Sequence, residues 1–389
     1  MRMNYIFFIT LNIFLLLLSN QVLGEAQQNT FSTRFFQNFN PDISAIGDFL
    51  IHYSGNEGES IDDEFLFREL ELGISASVDP YARADVFLGI HKELTSHHEE
   101  SEDQDQHFEL GRYGHDHEAY GIHIEEAYLT LLTLPAGLQA KFGKFKMSFG
   151  KANTNHLHAL PWIDYPLVIQ NFLGEEGFTG EGISINWLVP NHWNRFIELT
   201  YEVVNNDNGN LLQGEESDDF AHLLHVRNFF DLTECTGLEV GIGAVTGLNH
   251  KNEQDLRTVV SELDITLKWK PLLKGLYRSF KWRNELFFSQ KEIENETEDA
   301  IGFYSSLEYQ VSRRWTGCFR YDYSEFSDDA NFNERALTPS VTFEQSEYCY
   351  WRIGYRYLDR NFEIEGNPDE HSAFIQLNFG LGPHRAHKY

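Results

Sequence analysis

From Asp42 onward the side chains alternate with a period of two, and this constrains the chain more than any other feature. Between Glu69 and Val78, the apolar residues Leu70, Leu72, Ile74, Ala76 and Val78 alternate with Glu69, Glu71, Gly73, Ser75 and Ser77. Successive side chains of a strand point to opposite faces, so one face here is apolar and the other wet. Asp79-Pro80-Tyr81 makes a tight turn. Ala82, Ala84, Val86, Leu88 and Ile90 then alternate with Arg83, Asp85, Phe87, Gly89 and His91, which predicts a hairpin. The same pattern returns as far as Ala373 to Phe379. Counting Asp42 to Tyr53 as the first strand gives about sixteen, each near the length a tilted transmembrane strand requires.

The connections fall into two alternating classes. Short links at Asp79–Tyr81, Pro135–Gly137, Pro190–Asn194, Asp231–Thr236, Val311–Arg314 and Gln345–Glu347 alternate with long polar ones at Lys92–Tyr120, Lys151–Gly180, Asn205–Asp218, Lys291–Asp299 and Asp359–Glu370. The fold class expected is all-β: a transmembrane antiparallel up-and-down β-barrel with short periplasmic turns, long external loops and both termini on the periplasmic side. A secreted sandwich or propeller also alternates apolar and polar residues. The regular hairpin series, aromatic strand ends and lack of a blade repeat favour the barrel.

Composition fits a barrel better than a soluble protein. Mean hydropathy is −0.42, yet aromatic residues make up 15% of the chain, which suits exposed strands with aromatic ends. Arg2, the apolar run Ile6 to Leu18 and Val22-Leu23-Gly24 have the form of a secretory signal peptide. The expected organisation is therefore a cleaved signal peptide at 1–24, a short periplasmic N-terminal segment at 25–41 and an outer-membrane barrel at 42–389. A formal charge of −30 disfavours nucleic acid as a partner. Cys235, Cys318 and Cys349 are odd in number and lack CxxC spacing, so neither a disulfide framework nor a thiolate metal site is expected.

A barrel of this size leaves an aqueous channel, so function is expected on the inward faces. Those faces carry both signs of charge. The pore-lining candidates are Glu69, Glu71, Arg83, Lys141, Lys281, Arg283, Arg320, Arg352 and Arg356. The last five lie on alternate strands, which would let a basic ladder gather on one wall. The loop Lys151–Gly180 contains Pro161, Trp162, Pro166 and Leu167-Val168-Ile169 and is more apolar than the others. Folding into the lumen would hide those residues and bring Asp164, Glu175 and Glu176 into the channel as constriction-loop candidates. Packing as a cap on the rim, or against another subunit, is the alternative.

The tract His91 to His123 holds seven of the seventeen histidines among many carboxylates. Neutral imidazole and carboxylate form the ligand set that zinc prefers. His97, His98, His107, His115 and His117 are the candidate ligands of zinc at an external loop, although no fixed spacing is visible and a solvated loop has the same composition. No cofactor is required by anything else in the chain. Neither GxSxG nor HExxH occurs, so catalysis is not expected.

Several stretches carry a resemblance: Glu125-Glu126-Ala127-Tyr128-Leu129-Thr130, Gly143-Lys144-Phe145-Lys146, Phe149-Gly150-Lys151, His156 through Leu167, Phe172 through Gly177, and Trp187-Leu188-Val189-Pro190. Together with the tail Gly382 to His387 and Tyr389, they resemble a bacterial family of porin-like outer-membrane proteins, often labelled zinc-regulated outer-membrane proteins or TonB-dependent receptors. The resemblance implies a barrel and a transport role and fixes no substrate. TonB-dependent transporters have 22 strands and a lumenal plug, whereas only 25–41 separate the expected cleavage point from the first strand, so no plug domain is expected.

The expected function is a passive channel for small solutes or ions, leaning to cations and linked to divalent metal (zinc) uptake. The alternatives are a metal-binding or structural barrel without open-channel activity and, third, an outer-membrane barrel hydrolase. Expected partners are outer-membrane lipids and lipopolysaccharide, the barrel-assembly machinery, and small solutes or divalent cations. A homo-oligomer is compatible with the aromatic exterior.

Overall fold

In a bilayer core no water satisfies the backbone, so a chain without apolar helices must cross it as strands that close on themselves. The computed structural model describes residues 41–54, 64–93, 119–208, 211–213, 219–249, 256–293, 296–364 and 367–382. The signal-peptide and N-terminal segments, His97, His98, His107, His115 and His117, and the tail beyond Gly382 lie outside these residues. No helix among them is long and apolar enough to cross a membrane.

Among the described residues eighteen strands run in chain order. They are β1 (Asp42–Ser54), β2 (Glu64–Asp79), β3 (Ala82–Glu93), β4 (Ala119–Leu131), β5 (Leu138–Lys146), β6 (Thr179–Leu188), β7 (Phe196–Asn205), β8 (Asp207–Asn208) and β9 (Leu212–Gln213). They continue with β10 (Phe220–Thr233), β11 (Thr236–Leu248), β12 (Arg257–Trp269), β13 (Ser279–Ile293), β14 (Glu296–Gln310), β15 (Trp315–Glu325), β16 (Asn333–Ser346), β17 (Cys349–Ile364) and β18 (Asn367–Leu381). A separate ribbon is formed by β8 and β9; the other sixteen pair antiparallel with their neighbours, and β18 closes on β1. This is the closed antiparallel barrel that the alternation predicts.

The register confirms which face is which. Ile242, midway along β11, and Ile353 on β17 are about 60% exposed on the outer face, while Val245 and Val260 of the inner face are buried. Aromatic residues gather at both strand ends. Tyr81, Trp193, Trp315 and Tyr348 mark the short-turn end and Phe65, Tyr120, Phe220 and Phe332 the long-loop end, all exposed, as the two girdles of a membrane barrel should be.

Two expected loops are much shorter than their polarity suggests. Instead of loops at Lys291–Asp299 and Asp359–Glu370, β13 continues to Ile293 and β14 begins at Glu296, and likewise β17 continues to Ile364 and β18 begins at Asn367. Ladder pairs such as Lys291↔Glu298 and Glu292↔Thr297 extend the sheet with polar side chains on both faces, where alternation gives no signal. At the other extreme β5 ends at Lys146, because Met147 and Phe149 beyond it are buried in the core.

Replacing Ile242 by Arg puts a charge at mid-strand on the lipid face, and should lower the unfolding free energy in bilayers by roughly 2–4 kcal/mol. Denaturant titration in lipid vesicles reads the loss. Substitution of Ala for Ile242 should cost clearly less.

Candidate functional site

The segment between β5 and β6 crosses the inside of the barrel. Its apolar residues need cover, and they find it in the lumen. Met147, Phe149, Trp162, Val168 and Phe172 form one buried cluster with Phe145, Val204, Leu223, Val245, Val260 and Phe287 from the barrel wall. A short helix α1 (Leu167–Leu173) packs on β14 and β15. It comes so close that a Cβ at Gly302 would sit 2.5 Å from Val168. Leu211 and Leu212, flanking and within β9, are buried in the same cluster.

Four arginines hold the crossing. Arg320 is wholly buried, donating from Nη2 to Asp164 Oδ1 (2.7 Å), from Nη1 to the Asp164 carbonyl (2.9 Å) and from Nε to Asp322 Oδ2 (2.7 Å). Arg356 Nη1 donates to Asp164 Oδ2 at 2.7 Å. Arg352 donates to the carbonyls of Trp162 and Leu160, and Arg68 to that of Ile163 while pairing with Asp48. Burial alone would push the Asp164 carboxyl up, but Arg320 and Arg356 outweigh it and hold the group below the usual carboxylate range.

The opposite wall is acidic and grips the same loop through a histidine. His156 Nδ1 lies 2.6 Å from Glu125 Oε2, and Nε2 lies 2.8 Å from Glu126 Oε1. Glu71 Oε2 is 3.2 Å from His156 Nδ1 and 3.6 Å from His158 Nδ1. Adjacent residues of a strand normally face opposite ways. Here a bulge that leaves Glu125 out of the β3–β4 ladder lets both Glu125 and Glu126 turn inward, and a second leaves Arg68 out of the β1–β2 ladder. Burial disfavours the charged His156 ring, yet Glu71, Glu125 and Glu126 together hold its pKa well above the ordinary imidazole value.

The crossing leaves a space on each side. Toward the long loops lies one of about 860 Å³, whose walls include Arg68, Glu69, His91, His123, Glu125 and Glu181. Toward the short turns lies one of about 300 Å³, whose walls include Lys151, Lys268, Lys281, Arg283, Arg352 and Glu308.

The sequence candidates thus separate into groups. Arg320, Arg352 and Arg356 converge on the loop with Asp164, and Glu71 meets its histidines. Glu69 borders the outer space, while Lys281 and Arg283 border the inner one, with Arg283 paired to Glu308 at 2.5 Å. Arg83 pairs with Asp85 at 3.0 Å, and Lys141 lies 4.2 Å from the Tyr128 ring centre. Glu175 and Glu176 are exposed beside the outer space, Glu176 3.7 Å from His91 Nε2. Sequence reasoning missed His156, His158 and the inward Arg68 and Glu125. The bulges that aim the last two depend on the neighbouring strand and leave no trace in the alternation.

No family model matches the chain. An uncharacterized protein of Aquifex aeolicus (strain VF5) is 26% identical over 434 aligned positions, which span 94% of this chain and 83% of that protein. Among solved structures, the anion-selective porin from Comamonas acidovorans superposes with a TM-score of 0.57 at 9% identity, covering 88% of this chain and 99% of that one. Pseudomonas putida OprB gives 0.56 at 8% identity, covering 89% and 95%. The outer membrane channel DcaP of Acinetobacter baumannii gives 0.51 at 11% identity, covering 88% and 96%. The shared fold is that of outer-membrane porins. This chain is an outer-membrane barrel.

The charged His156 ring favours the anchored loop as long as it keeps its proton. With the folded pKa raised above about 6.5 for a free imidazole, this contribution is complete below that value and fades as pH rises through the folded one. Alkaline titration followed by tryptophan emission, to which the buried Trp162 contributes, should therefore show the loop loosening. The step assigned to His156 should be missing in His156→Gln.

Proposed function

We propose that the protein is a diffusion channel for small solutes and ions whose narrowest passage is the crossing loop. The observation that carries this is the pair of solvent spaces, of about 860 and 300 Å³, on either side of one loop inside a closed sixteen-strand barrel. Both are walled by charged side chains, a surface suited to hydrated ions and polar solutes. The likeness to porins supports the reading through the fold.

The two spaces differ in sign. Glu69, Glu125, Glu175, Glu176 and Glu181 border the outer one, and Lys151, Lys268, Lys281 and Arg283 the inner. An acidic mouth concentrates cations. His91 and His123 stack there with ring centres 4.5 Å apart, at the two ends of the histidine tract. That pairing of imidazole and carboxylate favours divalent cations, zinc among them, as solutes drawn to the mouth. Transport would be passive and without chemistry.

Purified full-length protein in planar bilayers should give discrete conductance steps with a cation-leaning reversal potential in a salt gradient. Replacing 151–173 by a short Gly-Ser linker should enlarge the steps several-fold. Silence from both proteins would contradict the channel and favour a structural barrel.

A further inference from the structure

A second histidine sits on the inner wall, away from the loop's anchors, in a setting built for more than an ion pair. His225 of β10 faces inward with Leu223 and Arg227, following the period of two. Its Nε2 lies 3.2 Å from Glu262 Oε1 and 3.5 Å from Asp264 Oδ2, both on β12. These three atoms come from strands that are not neighbours, since β11 runs between them.

Two glycines of β11 make the meeting feasible. A Cβ at Gly241 would fall 1.7 Å from Asp264 Oδ2 and 2.8 Å from His225 Nε2, and one at Gly243 would fall 3.0 Å from Glu262 Oε1. Any other residue at 241 would occupy the place where the three side chains converge. Glycine in a strand interior is costly and marks close approach of other groups. Here those groups are an imidazole and two carboxylates.

The charge and the spacing both point to a cation. Glu262 and Asp264 are 97% buried, and the ion-pair partner of both is the same imidazole ring. Besides the His225 ring, Glu262 meets the backbone N–H of Gly150. Glu285, directly across the ladder from Asp264, adds a third buried carboxylate to the wall. One imidazole is the ion-pair partner of both Glu262 and Asp264, whereas a dication would match the two carboxylates. Ligand atoms around a tetrahedral zinc ion, with bonds of 2.0–2.2 Å, lie roughly 3.3–3.5 Å apart. The separations of 3.2 and 3.5 Å are close to that edge.

We propose that His225, Glu262 and Asp264 form a lumenal site for a first-row divalent cation of the zinc class. One nitrogen and two carboxylate oxygens suit such an ion, while calcium takes oxygen ligands and more of them. The site uses none of the histidines between residues 91 and 123 and does not depend on the barrel conducting.

The test uses full-length protein in detergent, stripped with chelator, in which His97, His98, His107, His115 and His117 are all changed to Ala to silence the tract. Equilibrium dialysis against Zn²⁺ should find one tight site per chain, with no comparable uptake of Ca²⁺. Adding His225→Ala or Glu262→Gln should weaken that site at least tenfold, with heat-modifiable gel mobility unchanged. Glu262→Gln keeps the side chain's volume and so carries the test if His225→Ala fails to fold. Gly241→Ala retains every ligand and should weaken binding as well. Zinc uptake equal in parent and variants, or absent from the parent, would overturn the proposal. Conductance plays no part in these readouts, so a silent channel and a missing site remain separate results.

Discussion

Everything in this molecule follows from the need to satisfy backbone hydrogen bonds where no water is present. Sixteen strands meet it by pairing all the way round, β18 returning to β1 through pairs such as Ile51↔Ile375. Closure removes every edge but creates a second problem, because a barrel of this size has an interior too wide for wall side chains alone to fill. The chain fills it with its own loop. Met147 to Phe178 supply about half of the main buried cluster, and the wall answers with Phe145, Val204, Ala221, Leu223, Val245 and Val260.

The loop is held by charge as well as by packing, and the two walls hold it with opposite signs. His156 enters the acidic wall between Glu125 and Glu126, while Asp164 enters the basic wall between Arg320 and Arg356. Buried ion pairs add little net stability because desolvation consumes much of the attraction. What they add here is position. Each anchor carries the sign its wall demands, so exchanging the two would leave buried charges facing their like. The same arrangement separates an outer space with acidic walls from an inner one with basic walls.

The fold was legible in the sequence because the period of two is local. Leu70 to Val78 and Ala82 to Ile90 state their pairing and their outward apolar face without reference to the rest of the chain. The inward loop was legible in part, since Trp162 and Leu167-Val168-Ile169 are too apolar for a solvated loop. The grip on it was not. Arg320, Arg352 and Arg356 read as a basic ladder, but whether a ladder faces water or a carbonyl depends on what crosses in front of it. Arg68 and Glu125 turn inward only because bulges interrupt the β1–β2 and β3–β4 ladders. His225 shares the inward parity of Leu223 and Arg227, and parity alone could have placed it on the wall. Its meeting with Glu262 across β11 needed Gly241, whose role appears only in three dimensions.

The central claim is that residues 147–173 lie inside the barrel as part of its core. Hydrogen–deuterium exchange of the purified protein in lipid measures this directly. Amides such as those of Ala152, which donates to Glu285 at 2.9 Å, and Ile169, which donates to the Pro166 carbonyl at 2.9 Å, should be retained. Peptides covering 147–173 should then exchange over hours, as the barrel strands do. Complete exchange of this stretch within seconds, with the strands still protected, would put the loop in solvent and contradict the account.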